Sequence, residues 1–131
     1  MPLHRRNRRT GFTLIELLVV VVVIGILASI AMAKFRSTKG KAFYASVKTD
    51  LQNLVTAQEA YFYDVRQYTT RLDSLKVTGS PGVVITIGHA NATEWSATAY
   101  HPSSFPHTCA IYFGDAPVLP PATAPGQVSC N

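Results

Sequence analysis

With 131 residues and a formal net charge of +5, the chain has room for one small domain and a terminal segment. Most of that charge is local: outside Arg5, Arg6, Arg8 and Arg9 the balance is 8 Lys/Arg against 7 Asp/Glu, and nucleic acid is a possible partner that the sequence does not support, since it needs a displayed basic surface. His4, His89, His101 and His107 lack metal-ligand spacing, and Ser103-Ser104 lies in a Pro-flanked loop without a nucleophile motif, which points away from an enzyme, a metal site or a cofactor.

The chain opens on a basic stretch that ends at Gly11. From Phe12 to Ala33 run 22 residues whose only strongly polar member is Glu16, with Thr13 and Ser29 able to bond back to a helix. At 1.5 Å per residue such a helix spans roughly 30 Å, enough to cross a bilayer. A carboxylate in that setting is costly and marks a functional hypothesis. Lys34, Arg36, Lys39 and Lys41 follow directly, so both flanks are basic and charge counting alone fixes no orientation. These later cations are placed to meet anionic headgroups or to pair with acids of adjacent copies.

Three readings of this segment compete. A secretory signal peptide would be cut after Ala33, in the motif Ala31-Met32-Ala33, and would release a soluble binding protein. The apolar run exceeds the usual ~7–15 residues of such a peptide, and a Glu stands at its start. A plain transmembrane anchor fits the length and leaves Glu16 unexplained. The third reading rests on the run Gly11-Phe12-Thr13-Leu14-Ile15-Glu16: a basic leader ending in glycine, then Phe, then an apolar helix with one early acid. Over Arg8 to about Ser29, and more loosely to Tyr68, the chain resembles the type IV pilin and pseudopilin family.

The resemblance implies that an aspartyl prepilin peptidase in the membrane cuts between Gly11 and Phe12, that Phe12 is N-methylated, and that the product keeps its helix. It also implies that Glu16 meets the Phe12 amine of a neighbouring copy during filament assembly. Physical reasoning supports such a pairing. Cleavage frees an α-amine four residues before Glu16, about 6 Å along the axis on a similar face. A desolvated carboxylate without a cation costs several kcal/mol, so a wrong stagger is penalised. The bland alternative is that Glu16 snorkels to the cytoplasmic headgroups. The chain departs from the family at Ala33, where a proline is common, so any softness in the helix is expected from Gly25 to Ser29.

Beyond the basic cluster, Phe43, Val47, Leu51, Leu54, Val55, Tyr61 or Phe62, and Val65 recur at spacings of three and four, the stripe of an amphipathic helix. Lys48, Asp50, Gln52, Gln58, Glu59 and Asp64 are expected on the other side. One helix is therefore expected from Phe12 to about Arg66, roughly 80 Å long, with Gly40 as the place for a bend. Its many aromatics read as core and not as an electron-conducting stack.

From Tyr68 the sequence reads as short strands. Gly79-Ser80-Pro81-Gly82 signals a turn, Val83 to Ile87 a strand, His89 to Ala92 a turn, and Thr93 to Tyr100 a second strand. His101-Pro102 and Phe105-Pro106 break pairing before a third strand, Thr108 to Phe113. Cys109 and Cys130, without further metal ligands, read best as a disulfide formed in an oxidising compartment; two buried free thiols are the alternative. Prolines 117, 120, 121 and 125 keep the tail out of a central strand. In pilins a C-terminal cysteine pair delimits a surface loop that pseudopilins commonly lack. Asn91-Ala92-Thr93 matches a glycosylation sequon.

The expected architecture is α+β: a long N-terminal helix packed against a small antiparallel sheet, the pilin fold. Residues 1–11 form a removable leader, 12–34 a membrane and assembly helix, 35–67 its amphipathic continuation, and 68–131 a β-rich head with a C-terminal disulfide loop. The expected function is that of a type IV pilus subunit, with a minor pilin or secretion pseudopilin as the alternative. Its partners would be further copies in a helical filament, the prepilin peptidase, the inner-membrane assembly machinery, and the bilayer before assembly. The precursor would sit in the inner membrane with its head outside the cytoplasm, and the product in an extracellular pilus.

Overall fold

The computed structural model describes residues 11–104 and 106–131. The leader arginines and Phe105 lie outside the described residues. The chain divides into two compact units, the first ending at Ser37 and the second comprising Thr38–Asn131. Helix α1 covers Leu14–Val65, within two residues of the expected bounds. It is helical through Gly25, Ser29 and Gly40. Its early composition explains this: leucine and isoleucine are adequate helix formers, and glycine weakens a helix by only about 1 kcal/mol relative to alanine.

In the first unit every described residue is exposed. Leu14, Ile15, Leu17, Leu18, Val19 to Ile24, Ile26, Leu27, Ile30 and Met32 all show their side chains to the surroundings. A helix that is apolar on all sides has no polar face to present to water.

In the second unit α1 presents Val47, Leu51 and Leu54 to a core that excludes solvent almost completely. The opposing layer is a four-stranded antiparallel sheet in sequence order: β1 Val84–Ala90, β2 Trp95–Tyr100, β3 Thr108–Phe113 and β4 Ser129–Cys130. Alternation along the strands sends Ile87, Trp95, Ala97, Ala99, Cys109 and Ile111 into one cluster with the helix residues. Ala97 stands opposite Ile87 on one side and Ile111 on the other. Small side chains at 97 and 99 leave room for the helix, and Trp95 fills the end of the layer.

Several elements differ from the sequence expectation. β1 runs on to Ala90 because a bulge at Gly88 absorbs one residue between Ile87 and His89. The turn therefore moves to Asn91–Glu94, where Asn91 Oδ1 accepts the N–H groups of Thr93 at 2.8 Å and Glu94 at 2.9 Å. A short helix, α2 Leu72–Leu75, was not anticipated; it buries Leu75 and ends on Lys76 in the left-handed conformation. Val65 is exposed instead of buried, since α1 ends there and Arg66 turns away with φ +61.

The sheet also carries a second, smaller core. Ala110 and Tyr112, on the opposite face of β3 from Ile111, are covered by Ala116 and Ala122 of the tail, with Leu119 packed alongside. Gly126 N–H donates to Tyr112 O at 2.7 Å and holds that cover down. The tail then returns to pair with β3, Cys130 opposite Cys109, and the two sulfurs are bonded at 2.00 Å. Its prolines confine it to this two-residue edge strand, as the composition suggests.

Candidate functional site

Gly11, Phe12 and Thr13 precede α1, and Glu16 lies in its first turn. Thr13 and Glu16 bond reciprocally. The Thr13 N–H donates to Glu16 Oε2 at 2.9 Å and the Thr13 hydroxyl donates to the same oxygen at 2.7 Å. In return the Glu16 N–H donates to Thr13 Oγ1 at 3.3 Å. This is a capping box, with Thr13 at N-cap and Glu16 three residues on. The signal for it, Thr-x-x-Glu before an apolar run, stands in the sequence, and a reading focused on the cost of the carboxylate passes over it. The acid expected to seek an amine is thus already held by its own helix terminus in the uncleaved chain. Gly11 has open space where a Cβ would stand, and Phe12 is 77% exposed.

Beyond this cap lies the apolar surface already described. The helix is long and apolar enough to cross a membrane, and none of its apolar stretch is buried within the chain. Ser29, the next polar side chain, donates its hydroxyl to Ile26 O at 2.8 Å. Lys34, Arg36, Lys39 and Lys41 follow, all exposed.

In the second unit two polar residues of α1 have positions that correct the sequence reading. Asp50 and Gln58 were expected on the solvent side, yet both are buried. Gln58 Nε2 donates to Thr69 O at 2.7 Å, and Gln58 Oε1 accepts the Thr69 N–H at 3.1 Å. The Asp50 carboxylate accepts the Ser80 N–H at 2.7 Å and the Ser80 hydroxyl at 3.0 Å. Two turns of helix separate these pins, and together they fasten the segment between α1 and β1 to the helix. Residues 50, 54 and 58 continue the stripe of Val47 and Leu51, so spacing placed them correctly where residue type did not.

Next to the Gln58–Thr69 pin in sequence, Tyr68 is buried, stacked on Phe62 with ring centroids 4.8 Å apart, and its N–H donates to Asn91 O at 2.9 Å. Its hydroxyl donates to Glu59 Oε1 at 3.1 Å. Burial, and then that bond and the charge of Glu59, push the phenol up to about 12. On the β1–β2 turn, His89 Nε2 and Asn91 Nδ2 each lie 2.9 Å from Glu94 Oε1. His101 stacks on Phe43 at 3.9 Å. Among the described residues no three or more His, Cys, Asp or Glu side chains group as metal ligands.

A long apolar N-terminal helix, one acid capping its start, and a small antiparallel sheet laid on its second half make up the pilin fold. The comparisons agree. The model of the prokaryotic N-terminal methylation motif matches residues 6–32. The chain is 35% identical over 100 residues to the type IV wide pilus major component PilA4 of Thermus thermophilus, covering 73% of this chain and 76% of that protein. It is 44% identical over 70 residues to the type IV major pilin protein PilA of Myxococcus xanthus, covering 53% of this chain and 32% of that protein. Against the type II secretion system core protein G of Klebsiella michiganensis it is 38% identical over 72 residues, covering 55% of this chain and 51% of that protein. The chain thus spans about a third of the Myxococcus pilin and about half of the Klebsiella protein. It belongs to the type IV pilin and pseudopilin family.

Proposed function

We propose that this chain is the precursor of a type IV pilus subunit. A prepilin peptidase removes residues 1–11, Phe12 becomes the N-methylated N-terminus, and the subunit waits in the inner membrane with its head outside the cytoplasm. Polymerisation then transfers the apolar part of α1 from lipid to a bundle of identical helices. The observation that carries this reading is the fully exposed apolar first half of α1, which demands a cover the chain does not supply. In a filament that cover is other copies. Glu16 sets the register, because its carboxylate is desolvated on assembly and is best satisfied by the Phe12 amine of a neighbour.

The alternative within the family is a minor pilin or a secretion pseudopilin, favoured by the likeness to core protein G. The bonded tail, which pseudopilins commonly lack, and the three-quarter coverage of PilA4 favour the pilus subunit. The first test is the intact mass and N-terminal sequence of the mature chain. A 120-residue product beginning at methylated Phe12 is expected; a 98-residue product beginning at Lys34 would show a signal peptide instead and end the proposal. The second is immunogold labelling of sheared surface fibres. Labelling along the shaft is expected of a pilus subunit, whereas loss of a secreted enzyme from the medium of a deletion strain, with unlabelled fibres, would mark a pseudopilin.

A further inference from the structure

The charges of the second unit are sorted by end. Antiparallel register places Val84, Tyr100 and Thr108 side by side, at the end where α1 enters the unit. There His101 stacks on Phe43 with ring centroids 3.9 Å apart, and His107 meets the Tyr44 ring edge-on at 5.8 Å. Lys39 and Lys41 stand one turn before these two aromatics, both exposed, with Lys39 Nζ 5.7 Å from the centre of the Phe43 ring. Between Glu16 and Glu59 the sole acid is Asp50, which is buried and bonded to Ser80, and the turns 79–83 and 101–107 hold none. The other end is acidic. Glu59 receives the Tyr68 hydroxyl, the Tyr68 N–H reaches Asn91, and Gly114 lies close against Thr93 and Glu94. Glu59, Asp64, Glu94 and Asp115 therefore share the end where α1 stops, with Arg66 among them. Among the described residues of this unit the one ion pair is His89–Glu94; Lys39, Lys41, Asp64 and Asp115 form none.

We infer that the head docks end to end with a second copy of this chain, the Lys39–Lys41 end of one against the Asp64–Asp115 end of the other. Charge complementarity selects that occupant: each end carries the sign the opposite end lacks, and neither spends it within the chain. From Lys41 to Asp64 the helix covers about 35 Å at 1.5 Å per residue. These groups cannot meet inside one chain, but a copy displaced by about that distance along a shared axis brings them together. A contact between unlike ends repeats without closing, which suits a filament and not a two-fold dimer. The inference rests on the filament reading above, since it needs copies aligned along their helices, and its test separates the two.

Sheared fibres treated with a carbodiimide, which joins amines to carboxylates without a spacer, give the direct test. Digestion and mass spectrometry are expected to find Lys39 or Lys41 linked to Asp64 or Asp115. Their separation within one chain makes every such link a link between copies. Variants of the full precursor, expressed in place of the native chain, supply a second arm. Lys39→Glu with Lys41→Glu, and separately Asp64→Lys with Asp115→Lys, are expected to be cut and to reach native levels in the membrane. Fibre yield from each pair should fall about tenfold, because weak surface attractions become repulsions. All four changes together are expected to bring the yield back to within about threefold of native. The four side chains are exposed, so denaturation followed by Trp95 fluorescence should report an unchanged head. Fibres that contain the chain but give no such links, native yield from either reversal, or no recovery on combining them would overturn the inference alone. A membrane pool depleted by the lysine reversal would assign those cations to anionic headgroups and overturn it as well. Fibres without the chain would remove the pilus reading, and this contact with it.

Discussion

Gln58 offers the sharpest test of how the head is fastened to its helix. Replacing it by alanine leaves the Thr69 N–H and C=O without partners, and each orphaned amide group costs about 1 kcal/mol or more. Thr69 is half-buried, so water reaches it in part and the lower figure applies. The lost side chain was fully buried, and the packing deficit adds about 1–2 kcal/mol. The sum is about 3 kcal/mol, or a fall of roughly 12–24 °C in Tm for a unit of this size. Denaturation of the full chain in detergent micelles can be followed by the fluorescence of Trp95, the sole tryptophan, which is completely buried against the helix. Gln58→Leu keeps most of the volume and should still lose about 2 kcal/mol, which isolates the hydrogen bonds. Asn53→Ala, exposed on the same helix, should stay within about 0.5 kcal/mol of the native chain. A loss below 1 kcal/mol for Gln58→Ala, or full stability for Gln58→Leu, would refute the idea that these two bonds hold the segment.

Other expectations follow from the backbone and from one phenol. Gly114 has φ +70, and a Cβ there would run into the carbonyl oxygen of Thr93; Gly114→Ala should therefore lower stability by about 2 kcal/mol or more in the same denaturation assay. Arg66 ends α1 in the left-handed region, so Arg66→Gly should raise stability by roughly 0.5–1 kcal/mol as strain at the helix end is relieved. Tyr68 binds its proton more tightly in the folded chain than in the unfolded one, with a folded value of about 12 against 10. Its contribution is complete below pH 10 and disappears as the pH rises toward 12, a loss of order 2 kcal/mol. Unfolding curves between pH 9 and 12 should show that decline in the native chain and a shallower one in Tyr68→Phe.

How much of this was legible in the sequence depends on how local the cause was. The span of α1 and the burial of Val47, Leu51 and Leu54 follow from an unbroken apolar run and then a spacing of three and four, both visible in a short window of that segment. Asp50 and Gln58 share that period, but their partners, Ser80 and Thr69, are 30 and 11 residues away. Residue type alone sorted them to the solvent side. The Thr13–Glu16 cap was written in four adjacent letters, and attention to charge hid it. β1 could not be bounded from its sequence, because the bulge at Gly88 depends on how β2 pairs with it. The tail is the extreme case: that Ala116 and Ala122 cover Tyr112 follows from no pattern in the tail, only from where the return to Cys109 carries it.

That return gives the head an unusual division of labour. β3 faces the helix with Cys109 and Ile111 and the tail with Ala110 and Tyr112, so the two sides of one strand answer to different constraints. The side toward α1 is fixed by the shape of the shaft. The other meets Ala116, Leu119 and Ala122 of a strap tied at its far end, whose outward positions include Val118 at 64% exposure. The outside of that strap can therefore be redrawn without disturbing either layer that β3 holds together.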